Sequence, residues 1–236
     1  MSHNSFPGGV HPPDMKHLSK ESPIAVLPVP AELVVPLSQH LGKPARAVVK
    51  PGDKVLKGQE IGAADGFVSA AIHSPVSGTI KKIDQTNLAS GGVCQAVVIE
   101  NDGQDAWAEG LNQESDPFAM SAQQIRDRVK ACGLAGMGGA AFPAHIKLSP
   151  PPEKKIEAVI LNGVECEPYL TADHRLMLEN AEAVAEGLML AMKAVDCKRG
   201  YVGIEANKPD AFAAMEKACA KASGSGIELT ASLLPV

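Results

Sequence analysis

Aromatic side chains make up only 3% of the 236 residues, which leaves few stacking platforms for single-stranded nucleic acid. Positive charge is not in excess either. With 22 Lys and Arg against 27 Asp and Glu, the net charge is -5, which argues against a general binder of phosphate backbones. Nucleic acid is therefore not an expected partner. Every apolar run is cut short by a charge or a glycine, so none approaches the roughly 20 residues of a membrane-spanning helix. No direct membrane span is expected. The five cysteines, Cys94, Cys132, Cys166, Cys197 and Cys219, are scattered and odd in number, unlike a secreted disulfide framework. None forms a C-x-x-C pair, so the ligand spacing of a zinc ribbon or a ferredoxin-type cluster is missing and no metal site is expected. The start, Met1-Ser2-His3-Asn4, lacks the regions of a secretory signal. A reducing, cytoplasmic setting is expected, and 45% hydrophobic with 21% charged residues suits one large folded domain or two modest ones.

Three textures follow one another along the chain. Residues 1–23 are rich in Pro, Gly, His and Lys without helical or strand period, and read as an extended arm lying over something else. Residues 24–101 are short β-branched runs divided by turn signals such as Pro51-Gly52-Asp53, Lys57-Gly58 and Ser74-Pro75-Val76-Ser77-Gly78, which predicts a β module of short strands. After a polar bridge opening at Asn101-Asp102-Gly103, residues 121–236 alternate between helix and strand. Ser121-Ala122-Gln123-Gln124 reads as a capping box, and Ile125, Val129 and Cys132 repeat at helical spacing before the stop at Gly133. Strands are expected at 156–161, 201–205 and 227–234, with helices over 179–195 and 209–221. That alternation predicts a parallel sheet covered on both faces.

Two segments of the β module, Lys50–Gln59 and Ser74–Ile80, resemble the half-motifs of the barrel-sandwich fold of biotinyl and lipoyl carriers. A carrier needs a lysine at its hairpin tip, where this chain has Ala63-Ala64-Asp65-Gly66-Phe67. A structural or docking role is expected for it.

Three segments could carry chemistry. Gly133-Leu134-Ala135-Gly136-Met137-Gly138-Gly139-Ala140-Ala141-Phe142-Pro143 places four glycines and three alanines in eleven positions. Such a loop lets backbone N–H groups approach a phosphate, with Lys147 able to add a charge; its spacing fits neither a Walker loop nor G-x-G-x-x-G, and a flexible connector explains it as well. Asn162-Gly163-Val164-Glu165-Cys166-Glu167-Pro168-Tyr169 follows a strand end, where ligands of open α/β sheets bind. Asn162 suits the mixed edge of a heterocycle, and Glu165 and Glu167 could hold ribose hydroxyls or a metal; a solvated polar turn is the alternative. Gly203-Ile204-Glu205-Ala206-Asn207-Lys208-Pro209 repeats that position, with Asn207 as a sensible helix cap and Pro209 in the first turn. Asp173, His174 and Arg175 read as capping and surface charge, and Cys166 as a small buried hydrophobe.

Together, Gly136 to Pro143 with Lys147, the run from Asn162 to Met177, the N-terminal Phe6-Pro7-Gly8-Gly9-Val10-His11-Pro12-Pro13 and Gly203 to Pro209 closely resemble the C subunit of the Rnf ion-translocating electron-transport complex. That family is similar in turn to the flavoprotein subunit of respiratory complex I. The resemblance implies an α/β architecture, with a β barrel-sandwich hybrid module before a Rossmann-like domain that binds FMN and NADH. It implies that Gly136, Gly138 and Gly139 contact the FMN phosphate and ribityl chain with help from Lys147, and that Asn162 and Glu165 meet the flavin. Phe142 would stack on the NADH adenine, and Glu167, Glu205 and Asn207 would line the nucleotide pocket. No catalytic acid or base is implied, because hydride chemistry belongs to the cofactors.

Ala141 and Val164 depart from the complex I pattern, which has glycine and aspartate there. The resemblance also implies that the nucleotide domain is incomplete at Val236 and that the iron-sulfur [4Fe-4S] clusters lie in a further C-terminal region. The expected setting is peripheral, on the cytoplasmic side of a bacterial inner membrane, with integral membrane subunits as partners. A non-catalytic scaffold, or a relative of the A subunit of the sodium-translocating quinone reductase, are the alternative readings.

Overall fold

The computed structural model describes residues 12–111, 113, 115–224 and 228–234. Residues 6–11 of the N-terminal motif and Ile227 of the expected last strand lie outside the described residues. The chain forms two compact units, one spanning Leu27–Pro151, the other joining the residues up to Val26 to Pro152–Val236.

In the first unit, β1 (Glu32–Pro36), β2 (Arg46–Ala47), β3 (Lys54–Val55), β4 (Glu60–Ala63), β5 (Ile72–His73), β6 (Gly78–Asn87) and β7 (Val93–Asn101) make two antiparallel sheets, ordered β1-β7-β6-β3 and β2-β4-β5. The corners fall at the turn signals. Gly78 is required by a close approach: a Cβ there would run into the Glu100 carbonyl on β7. Leu37, Ile61, Ile80, Val97 and Ile99 are buried together, and each such side chain stabilises by about 1.5–3 kcal/mol relative to exposure. The tip at residues 63–67 carries an exposed Phe67, and its Asp65 pairs with Lys43 at 2.8 Å.

The same unit contains α1 (Ala122–Ala131) and α2 (Ala144–Lys147). The capping box forms, with the Gln124 amide donating to Ser121 Oγ at 3.2 Å and the Ser121 amide to Gln124 Oε1 at 2.8 Å. The helix ends where Gly133 takes φ +63, and its amide and that of Leu134 turn back to Lys130 and Val129. A Cβ on Gly133 would also strike the Ala71 carbonyl. Of the expected apolar stripe only Ile125 is buried, and Cys132 is exposed.

The second unit runs β8 (Val159–Gly163), α3 (Ala172–Glu179), α4 (Ala181–Ala194), β9 (Arg199–Glu205), α5 (Pro209–Ala222) and β10 (Glu228–Leu234). Its three strands are parallel in the order β10-β9-β8. The helix expected over 179–195 is α4, and a further helix, α3, precedes it, the two separated at Asn180 with φ -137 and ψ 36. The sheet differs from the expected double cover. Leu161, Val202, Ile204 and Leu229 pack with Leu188, Met192 and Met215 on one face, whereas the alternate positions are open, Ile160 being 71% exposed with Tyr201 beside it in register. Burial alternates along β8 although Val159-Ile160-Leu161 is a continuous apolar run, so one-sided cover leaves apolar side chains of this strand open.

Candidate functional site

The ten candidate residues fall five and five. Gly136, Gly138, Gly139, Phe142 and Lys147 belong to the first unit, and Asn162, Glu165, Glu167, Glu205 and Asn207 to the second.

The glycine loop is shaped by its own backbone. Ala135 bridges to Pro143, the Gly136 amide donates to the Phe142 carbonyl at 2.9 Å, and the Ala144 amide to Leu134 at 2.8 Å. A Cβ on Gly138 or Gly139 would meet nothing within 4 Å. Their backbone faces open space, as a phosphate cradle requires. Beside it lies a cleft of about 500 Å³ lined by His40, His73, Cys132, Gly136, Met137 and Gly139, with Met137 99% exposed. Phe142 is half-buried and Lys147 exposed. On α2, burial and then the Lys130 charge push the His145 imidazole down, and its Nδ1 is buried with no partner among the described residues.

The loop after β8 is built in the opposite way. Two ammonium groups, neither of which stood out in the sequence, are buried under it. Lys16 is 4% exposed and its Nζ donates to the carbonyls of Glu165 at 2.7 Å, Glu167 at 2.9 Å and Leu170 at 2.7 Å. Lys208, 1% exposed, donates to the Val164 carbonyl at 2.6 Å, to Glu205 Oε2 at 3.0 Å and to Asn207 Oδ1 at 3.0 Å. The arm is further tied by the Tyr169 amide donating to Asp14 O at 2.7 Å.

Glu165 sits at φ +50, a left-handed conformation rare for a residue with a side chain. Its carboxylate caps α3, accepting the amides of Asp173 at 2.6 Å and His174 at 3.2 Å; Thr171, at the usual capping position, makes no such bond. Asn162 Oδ1 accepts the Val164 amide at 3.1 Å, and Glu167 is exposed. Asn207 does not cap α5. Its Nδ2 donates to Glu205 Oε2 at 3.1 Å, and Lys208 stands at the cap.

Cys166 is exposed, not buried. His174, expected as surface charge, is 3% exposed and its Nε2 meets Asp210 Oδ1 on α5 at 2.9 Å. Although burial raises it, the Asp210 carboxyl is held below its usual range by the Ala211 amide and His174. Asp173 is pushed the other way, by burial first and then by the Glu165 and Glu167 charges. Among the described residues no cluster of His, Cys, Asp and Glu could hold a metal ion.

Residues 4–104 match the RnfC barrel sandwich hybrid domain, and residues 129–234 the Nuo51 FMN-binding domain. These two matches define a barrel-sandwich protein with a flavin-type α/β domain related to the 51K flavoprotein of complex I. The chain belongs to the RnfC family. It is 47% identical over 214 residues to the C subunit of the proton-translocating ferredoxin:NAD(+) oxidoreductase complex of Clostridium ljungdahlii, a match that covers 91% of this chain and 47% of that protein. It is 44% identical over 218 residues to the C subunit of the Na(+)-translocating complex of Acetobacterium woodii, covering 92% of this chain and 49% of that one. Identity is 42% over 215 residues to the C subunit of the ion-translocating oxidoreductase complex of Rhodobacter capsulatus, covering 90% and 41%. The chain thus spans about half the length of these relatives or less.

Proposed function

We propose that this chain supplies the FMN- and NADH-binding part of an ion-translocating oxidoreductase that moves electrons between NAD(H) and ferredoxin. The observation that carries this reading is the open backbone of Gly138 and Gly139 inside the stretch that matches an FMN-binding domain. Bound FMN would exchange a hydride with the nicotinamide and pass single electrons onward. The protein's part is to hold and exclude. In the first unit Gly136, Gly138 and Gly139 offer N–H groups to a phosphate, Lys147 adds charge and Phe142 an aromatic face. In the second, Asn162, Glu165, Glu167, Glu205 and Asn207 shape the loops at the carboxyl ends of β8 and β9. Among the described residues no helix is long and apolar enough to cross a membrane. A peripheral position on the cytoplasmic side of the membrane, held by contacts with integral subunits, fits that.

One observation favours a purely scaffolding role instead: the Glu165 and Glu205 carboxylates are both engaged within the protein. An FMN titration by flavin fluorescence separates the two. Saturable binding that is lost in Gly138→Asp, whose carboxylate repels the phosphate, supports the cofactor reading. A folded chain that binds no FMN favours the scaffold.

A further inference from the structure

Peptide groups are planar and trans, so a carbonyl turned one way sends the following N–H the other. The Val164 carbonyl faces Lys208 and the Glu165 carbonyl faces Lys16, with Lys208 Nζ also 3.5 Å away. The amides of Glu165 and Cys166 therefore point away from the ammonium pair, and neither has an acceptor among the described residues. Buried charge on the oxygen side of a peptide polarises it and strengthens its N–H as a donor.

Three features show that this arrangement is imposed on the loop. Glu165 at φ +50 and Tyr169 at φ +70 hold left-handed conformations without being glycine. The ammonium groups are removed from water, a cost that only the surrounding carbonyls and Glu205 offset. Lys16 comes from 149 residues upstream of Glu165, so nothing local requires it there.

We propose that Lys16 is a positioning residue for flavin binding, acting with Lys208 on the adjoining peptides of Val164 and Glu165. The two ammonium groups clamp residues 164–170 and turn the Glu165 and Cys166 amides into paired donors for the electron-rich edge of the flavin ring. The proposal rests on the FMN reading above. Lys16 itself touches no ligand. Because the donors favour the electron-rich reduced ring over the oxidised one, the clamp raises the reduction potential of the bound flavin.

The test uses the whole chain, wild type against Lys16→Met, with three readouts: FMN affinity, the midpoint potential of the bound flavin, and hydrogen exchange of backbone amides. Expected are at least about a tenfold loss of affinity, the equal of about 1.4 kcal/mol, and a more negative potential. Amides of 164–171 exchange faster, while β9 and α5 stay protected. Wild-type affinity together with an unchanged potential in Lys16→Met overturns the proposal and leaves the FMN reading standing. If Lys16→Met fails to fold, Lys16→Gln takes its place, since its amide donates to two carbonyls without charge. A potential equal to wild type in Lys16→Gln overturns the proposal. If the folded wild type binds no FMN, the FMN reading fails and the flavin role of Lys16 with it; the exchange data then judge the clamp alone, which equal loop protection in both proteins would remove.

Discussion

The two loops that carry the candidate residues present backbone to a ligand by opposite means. Residues 133–143 do it by omission: small side chains, a few backbone hydrogen bonds and open space at Gly138 and Gly139. Residues 163–171 do it by restraint, with two buried ammonium groups drawing five carbonyl contacts inward. The first design costs chain entropy, since glycine loses the most freedom on folding. The second costs desolvation of charge. At its crest, Gly138 and Gly139, a loop made by omission tolerates added side chains in its own fold and fails only when a ligand arrives. A loop made by restraint fails when its restraint is removed, ligand or not.

Substitution should separate the two, beginning with the largest effect. Lys208→Met leaves the Glu205 carboxylate buried without its ammonium partner, and is expected to destabilise the second unit by about 3–5 kcal/mol in urea unfolding. The comparison breaks if the loss is below about 1 kcal/mol, the range of an exposed pair. Gly133→Val, at φ +63 against the Ala71 carbonyl, should lose about 1–3 kcal/mol from the backbone conformation alone. A lowered melting temperature in calorimetry is the check, and it would show that only the loop's hinge, not its crest, needs glycine for folding.

Acid titration sharpens the picture of the restrained side. Asp210 has a lowered carboxyl pKa in the folded chain, so its contribution is present above about pH 3.9 and is lost as pH falls through the folded value. Asp173 is raised, so folding favours its protonated form and stability is lost as pH rises through the carboxylate range. Melting temperatures across that range should therefore show a weaker acid loss in Asp210→Asn and a weaker loss on the rising side in Asp173→Asn. Parallel curves for both variants and wild type would rule this out. The smallest change is expected for Gly138→Asp, within about 0.5 kcal/mol of wild type as for other open surface positions, although the same variant should abolish FMN binding. A large loss of stability there would mean that the crest of the glycine loop is packed after all.

Much of the fold was legible because its signals are local. Pro51-Gly52 and Ser77-Gly78 announce strand corners, and Ser121 with Gln124 forms the capping box that their spacing predicts. The candidate site was legible as loops but not as chemistry. Glu165 reads as a ligand group because nothing nearby in sequence shows that it caps a helix beginning at Ala172. His174 looks like surface charge until Asp210, 36 positions on, is brought to it by α5. Lys16 and Lys208 resemble any other lysines, since burial of a cation depends on carbonyls gathered from distant chain. The one-sided sheet was not legible, because Ala158-Val159-Ile160-Leu161 is a continuous apolar run, the pattern of a parallel strand buried on both faces.

The contact between Lys16 and Glu165 spans 149 residues, and the whole first unit lies between them in the chain. During synthesis, at about 5–20 residues per second, the arm leaves the ribosome well before the loop it will cover. For several seconds Lys16 must stay hydrated, with the partner that will enclose it not yet made. The first unit, compact and formed from one continuous span, is free to form in that interval. Closing the arm over the loop is then a late, long-range event of the kind that slows folding, and the last amides to gain protection in a refolding experiment should be those the arm covers.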